Sequence, residues 1–154
     1  MFAEQHRPKR WADVVGQEKV VAKLQALAQR KRLGGRAYWI SGQTGTGKTT
    51  IGRLIAAELA ESWCIHEWDA ADLTADAMRE IERSMRLRGL GERDGRVWIV
   101  NEAHGLRADQ VRKLLTLLEP EEGLTMSLTE VGIAPSRAQR LAGHRRWLSQ
   151  DGHL

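Results

Sequence analysis

Apolar residues recur along this chain with two periods that alternate from segment to segment. Four segments carry apolar side chains at the three- and four-residue spacing of an amphipathic helix: residues 17–32, 48–61, 75–88 and 107–119. Three shorter runs are mostly apolar, which is typical of buried strands: residues 37–41, 63–68 and 96–101. Thr74 stands where the third helix should begin and is its predicted N-cap. Strands and helices in this order predict an α/β fold, a parallel sheet with helices on both faces.

The pattern weakens after Pro120. Residues 124–128 alternate between apolar and polar side chains and predict one short strand, and residues 136–148 predict one helix. We therefore expect a folded core over residues 1–119 and an atypical tail over residues 120–154.

Composition fits a soluble globular protein, because the 154 residues are 42% hydrophobic and 29% charged. The net charge of +4 permits contact with polyanions without requiring it. No apolar run approaches the roughly 18 residues of a membrane span. The first residues are polar and unlike a signal peptide, so we expect a cytoplasmic protein. Cys64 is the single cysteine, which excludes an internal disulfide and a cysteine zinc cage, and we expect it in the core.

Residues 42–49 match the phosphate-binding pattern G-x-x-x-x-G-K-S/T between a predicted strand and a predicted helix. Glycines let backbone N–H groups converge on phosphate oxygens, and the helix N-terminus adds its positive dipole end. Lys48 is expected to reach the β- and γ-phosphates, and the Thr49 hydroxyl to ligate Mg²⁺. The alternative is a glycine-rich turn that binds nothing. Nucleotide contacts are predicted for Gly42, Gln43, Thr44, Gly45, Thr46, Gly47, Lys48, Thr49 and Thr50.

A second group of polar residues follows the strand at 96–101. This apolar strand places Asn101 and Glu102 at its carboxyl end, where ligands sit in open α/β sheets. We interpret Glu102 as the residue that polarises a water for attack on the γ-phosphate. The alternative is that both residues simply begin a solvent loop.

These segments together resemble the AAA+ ATPases of the clamp-loader type, the family of replication factor C small subunits and of bacterial DNA polymerase III gamma/tau subunits. The resemblance follows the family's order and spacing over residues 6–119. Four motifs support it: an N-terminal arm at 7–17, the phosphate loop with its trailing residues 50–56, the segment 101–104, and the helix end at 114–119.

The resemblance implies that the arm wraps the adenine base, with Arg7, Pro8, Val15 and Gly16 nearby. Apolar side chains and backbone groups suit an aromatic base. His6 stands where the family often has an aromatic residue. The alternative is that the arm is a surface strap packed on the first helix.

The chain departs from the family at several positions. Asn101 replaces the family's usual Asp; it can still hydrogen-bond a metal-bound water but has lost the negative charge that favours Mg²⁺. This substitution predicts ATP binding with slow hydrolysis. The family's zinc-binding cysteine insert has no counterpart, so no zinc is expected. Ser136-Arg137-Ala138 faintly resembles a family motif whose Arg reaches the neighbouring subunit's γ-phosphate.

The family's sheet order implies that a strand after residue 119 lies between those at 37–41 and 96–101. Residues 124–128 are the only candidate, although they are poor in β-branched residues. The chain is also shorter than the family's ATPase core. We therefore expect an incomplete P-loop NTPase fold without the helical lid domain.

The resemblance implies an ATP-binding clamp-loader-like subunit in DNA replication that hydrolyses MgATP weakly or only in an oligomer. Its expected partners are other AAA+ subunits in a ring, and possible further partners are a sliding clamp and DNA. Two alternatives stay open. One is another AAA+ DNA motor, acting in branch migration or replication restart. The other is a structural nucleotide-binding subunit that never hydrolyses ATP, so the assignment as an enzyme is left open.

Overall fold

The computed structural model describes residues 7–35, 37–85, 87, 91–117 and 124–131. Within them it has four α-helices: α1 (Glu18–Gln29), α2 (Lys48–Leu59), α3 (Ala75–Met85) and α4 (Ala108–Leu117). It also has four strands: β1 (Ala37–Gly42), β2 (Ile65–Asp69), β3 (Arg96–Asn101) and β4 (Leu124–Val131). All seven predicted core elements are therefore present.

The ends of the elements differ slightly from the prediction. The second strand begins at Ile65 rather than at residue 63, because Ser62–Cys64 forms a 3₁₀ turn. The predicted N-cap of α3 is confirmed, since the Thr74 hydroxyl accepts a hydrogen bond from the Ala77 N–H at 3.2 Å.

The four strands form one parallel sheet in the order β1-β4-β3-β2. The predicted strand at 124–128 is confirmed and extends to Val131. It lies between β1 and β3, where the family resemblance placed it. A central strand is paired on both edges, and these two ladders outweigh the weak intrinsic strand preference of its residues.

The sheet thus includes residues beyond 119, and the division of the chain at that point stays a prediction. Three further expectations lie outside the described residues: those for His6, for the helix at 136–148 and for Arg137.

Alternating residues of the strands face two separate cores. On β1, Tyr38 and Ile40 pack with α1 and α2, whereas Trp39 faces α3 and α4. Both layers are buried, which explains why the strands read as continuous apolar runs rather than as alternating ones. Cys64 is 2% exposed in a core cluster with Val97 and Ile99, so its predicted core position is confirmed.

The N-terminal arm packs on the α1–α2 side of the sheet. Trp11 is buried there, and its indole N–H donates a hydrogen bond to Glu58 Oε1 on α2 at 3.0 Å. This contact anchors the arm, so that Gly16 and Gln17 follow close to the start of α2.

None of the helices in the described part of the chain is both long and apolar enough to cross a membrane. The carboxyl ends of β1, β2 and β3 meet at one edge of the sheet, because all strands run parallel. This edge holds the site described next.

Candidate functional site

The loop between β1 and α2 is a tight turn that requires glycine. The backbone N–H and the hydroxyl of Thr46 both donate to the Gln43 carbonyl, at 3.4 and 2.8 Å. Gly45 and Gly47 have φ angles of 83° and 84°, in the left-handed region that other residues adopt only under strain. The loop therefore curls back onto the first turn of α2.

Lys48 is the first residue of α2, and its side chain is held inside this curl. Only 7% of the residue is exposed. Its ammonium donates to the carbonyl oxygens of Gly42 at 3.0 Å and of Gln43 at 2.7 Å. A lysine charge held against a helix N-terminus makes this point of the surface attractive to an anion such as a phosphate.

Thr49 connects the loop to the end of β3. Its hydroxyl donates to Asn101 Oδ1 at 3.3 Å. The pair places two oxygen atoms side by side at the edge of the sheet, and oxygen atoms are the ligands that Mg²⁺ prefers. The structure thus brings together the two residues that the sequence predicts at one Mg²⁺ site, Thr49 directly and Asn101 through a water.

The amide nitrogen of Asn101 contacts a residue that the sequence did not single out. Nδ2 donates to Glu67 Oε1 on β2 at 2.6 Å. Arg53 on α2 grips the same carboxylate with two donors, Nε to Oε2 at 2.8 Å and Nη2 to Oε1 at 3.1 Å. A continuous polar chain therefore runs from Thr49 through Asn101 and Glu67 to Arg53.

The Glu67 carboxylate is electrostatically stabilised. Burial alone raises its pKa, but hydrogen bonds from Arg53 and Asn101 and the positive charges of Arg53 and Arg7 outweigh it. The pKa of Glu67 is therefore lower than its ordinary value, and the carboxylate is ionised at neutral pH. Arg7 of the arm is therefore near enough to Glu67 for its positive charge to lower the pKa of that carboxyl.

Glu102 follows β3 with a left-handed backbone, φ 53° and ψ 39°. A non-glycine residue is uncommon in this region, and such residues cluster at active sites and ligand-binding turns. Its side chain is 59% exposed, and its carboxylate lies 3.5 Å from His104 Nδ1. Exposure is compatible both with contact to a water and with the alternative of a solvent loop.

The other predicted nucleotide contacts divide by exposure. Gln43 and Thr44 are exposed on the loop, whereas Thr50 is only 9% exposed and faces the core. In the arm, Pro8 is half-buried and Val15 is 90% exposed.

Gly16 has a φ angle of 82°, and its N–H donates to Glu18 Oε1 at 3.1 Å. The next residue, Gln17, joins the arm to the phosphate loop through a long hydrogen bond of 3.5 Å to the Thr46 carbonyl. The arm and the loop therefore form one continuous surface at this edge.

Sequence reasoning did not assign a role to Gln17, Arg53 or Glu67. The available signal was a carboxylate inside a predicted buried strand, because such a charge seldom enters a sheet without a partner. The identity of the partner was not readable, since Arg53 and Asn101 are remote in sequence.

Comparison with known proteins gives a consistent set of relatives. Residues 38–141 match the family "ATPase family associated with various cellular activities (AAA)". The replication factor C small subunit of Haloarcula marismortui is 31% identical over 123 residues, which cover 77% of this chain and 37% of that protein. The DNA polymerase III subunit tau/gamma of Haemophilus influenzae is 32% identical over 149 residues, covering 79% of this chain and 21% of that protein. The chain thus spans well under half the length of these relatives.

Solved structures of similar fold include the RuvB Holliday junction branch migration motor of Thermotoga maritima. One variant of that protein aligns with a TM-score of 0.67 at 25% identity, over 93% of this chain and 48% of that one. A further RuvB, from Chlorobaculum tepidum, is 39% identical over 64 residues, covering 40% of this chain and 19% of that protein.

Proposed function

The chain belongs to the AAA family of ATPases, and on that premise we propose that it binds MgATP at the Gly42–Thr49 loop as a clamp-loader-like subunit in DNA replication. One observation carries the proposal. The nearly buried Lys48 ammonium and the Thr49–Asn101 pair lie next to each other at the carboxyl edge of a parallel sheet. Ligands of open α/β sheets bind at this edge.

The loop would hold the triphosphate. The Lys48 ammonium can exchange its two carbonyl partners for phosphate oxygens, which are charged and therefore stronger acceptors. Thr49 and Asn101 would hold Mg²⁺, Thr49 through its hydroxyl and Asn101 through a water. When bound, the metal neutralises charge on the phosphates.

The arm would hold the base. Val15 offers an exposed apolar side chain one residue before Gly16, and Gln17 ties this segment to the loop. Arg7 and Pro8 complete the proposed set of base contacts. Because the Val15 side chain is 90% exposed, covering it with an aromatic ring removes apolar surface from water and lowers the free energy of the complex.

Hydrolysis is proposed to be slow, or to occur only in an oligomer. Glu102 would accept a hydrogen bond from the attacking water and so orient it. Asn101 is neutral, which weakens the hold on a divalent cation. A neighbouring subunit would supply the arginine that stabilises the transition state. Asn101 equally favours a subunit that binds ATP without hydrolysing it, and phosphate release with and without partner subunits separates the two cases.

The names of the relatives support the choice of process. Relatives named replication factor C small subunit and DNA polymerase III subunit tau/gamma support a role in DNA replication. The proposal adds that the chain works in the cytoplasm in a ring of AAA subunits, with a sliding clamp and DNA as further partners. The likeness to RuvB favours a second candidate, a branch-migration motor. Retention of the chain on an immobilised sliding clamp favours the first candidate, and retention on a four-way DNA junction favours the second.

The decisive test is ATP binding by the full chain and by Lys48→Met, which keeps the apolar stem of the side chain. Loss of the ammonium should weaken binding about ten-fold or more, as expected for a hydrogen bond to a charged group. Lys113→Met removes an exposed lysine from α4 and should leave affinity unchanged. Equal affinity of wild type and Lys48→Met contradicts the assigned site.

A further inference from the structure

We propose that Glu67 is a positioning residue of this site: it orients the Asn101 amide so that the amide oxygen faces Thr49. The inference rests on the proposed function, because the oriented oxygen matters only if a cation binds beside Thr49. It adds a residue on a different strand to the two groups already assigned to the metal.

The orientation follows from which atoms donate and which accept. An Asn side chain has one acceptor oxygen and one donor nitrogen, and either can point in a given direction. The Glu67 carboxylate only accepts, so at 2.6 Å it must face the nitrogen of Asn101. The oxygen is then directed at Thr49, 3.3 Å away. A flipped amide would bring two acceptor oxygens into contact.

An aspartate at position 101 would need no such control, because its two oxygens are equivalent. The neutral residue in this chain therefore depends on its neighbour in a way that a charged one does not. Of the two orientations open to the Asn101 amide, Glu67 selects the one that presents the oxygen to the proposed metal position.

Arg53 fixes the carboxylate in turn. Its two donors hold both oxygens of Glu67, so the carboxylate plane is set by a residue of α2. The same helix carries Lys48 and Thr49 in its first turn. The polar chain therefore begins and ends on the same helix, at Thr49 and Arg53. The Arg53 and Glu67 side chains are both more than half shielded from solvent, with 38% and 26% exposed.

The arrangement also explains how the site is charged. An aspartate at position 101 beside Glu67 would place two carboxylates in hydrogen-bond contact, and like charges at that distance repel. With Asn101 the pair carries one negative charge, located on β2 instead of β3. Positions 67 and 101 are therefore coupled, and moving the charge back requires changing both.

Four full-length proteins test the coupling: wild type, Glu67→Gln, Asn101→Asp and the double variant. The first readout is the affinity for a fluorescent ATP analogue with Mg²⁺ and with EDTA. Glu67→Gln should lower the Mg²⁺-dependent gain in affinity about ten-fold and leave the EDTA value unchanged. The double variant should recover that gain, because the amide introduced on β2 can donate to the carboxylate introduced on β3. Equal losses with and without Mg²⁺ indicate a merely structural role and overturn the proposal.

The second readout is urea unfolding of the same four proteins without nucleotide. Asn101→Asp alone should lower the unfolding midpoint, and adding Glu67→Gln should restore it, so that the effects are non-additive. Additive effects overturn the coupling. Glu82→Gln, an exposed glutamate on α3, is the matched control and should change neither readout. If wild type binds no ATP analogue, the proposed function fails, and the unfolding cycle still decides whether Glu67 and Asn101 are coupled.

Discussion

Strand β2 carries Glu67 on one face and His66 on the other, and the two side chains have opposite surroundings. Glu67 is gripped by directional hydrogen bonds from Arg53 and Asn101. The His66 ring stacks against two indole rings, with centroid distances of 5.9 Å to Trp68 and 6.1 Å to Trp98. The first face belongs to the candidate site, and the second belongs to the core under α3 and α4.

Both side chains have a lowered pKa, which favours the charged form of Glu67 and the neutral form of His66. Hydrogen bonds and nearby cations keep Glu67 charged despite its burial. Burial, followed by the positive charge of Arg96, lowers the pKa of His66 and keeps it neutral, against a weaker opposing effect of Glu80. Adjacent residues of one strand thus separate a charged layer, at the candidate site, from a neutral layer of packed side chains.

The largest effect is expected when the packing layer is broken. Trp98 is 1% exposed, so Trp98→Ala removes a full ring from the core and leaves a cavity. We expect the free energy of unfolding to fall by about 3–5 kcal/mol, measured by urea denaturation.

Trp63→Ala is the matched control, because that side chain is 65% exposed. Its effect should stay within about 0.5 kcal/mol, as for most surface substitutions. Equal losses in the two variants contradict the assignment of Trp98 to the packing layer.

A smaller effect on stability is expected in the charged layer. Arg53→Met removes both donors to Glu67 but keeps the apolar stem, and the pair is partly screened by solvent. The free energy of unfolding should fall by about 1 kcal/mol. The Mg²⁺-dependent gain in nucleotide affinity should fall as well, because the carboxylate that orients Asn101 is no longer fixed.

Arg79→Met removes the partner of Asp76 in a solvent-exposed ion pair and serves as the control. It should alter neither stability nor nucleotide affinity. An equal response of the two arginine variants shows that the Arg53–Glu67 pair is an ordinary surface contact.

The contrast between the two layers also shows what the sequence could predict. Gly45, Gly47 and Lys48 belong to one contiguous sequence motif whose residue types dictate the backbone. The loop could therefore be predicted from the sequence. The strands were readable because apolar runs mark burial on both faces. Cys64 was assigned to the core by the same reasoning.

The contact between Glu67 and Asn101 could not be predicted from the sequence, since 34 residues separate the two. It depends on β2 lying next to β3 with Asp69 opposite Asn101. Periodicity gives the face of a strand but not its neighbour or its register. The central position of β4 likewise came from the family's sheet order and not from its own residues.

The smallest effect concerns the pH dependence of stability and tests the neutral layer directly. The pKa of His66 is lower in the folded chain than its ordinary value of 6.5. As pH falls through that value the unfolded chain binds a proton that the folded chain resists, so stability decreases on acidification. Unfolding measured between about pH 7.5 and 5.5 should therefore show a shallower loss for His66→Gln than for wild type. Identical slopes would mean that the aromatic face of β2 does not hold His66 neutral, and the two faces would then differ in composition but not in electrostatics.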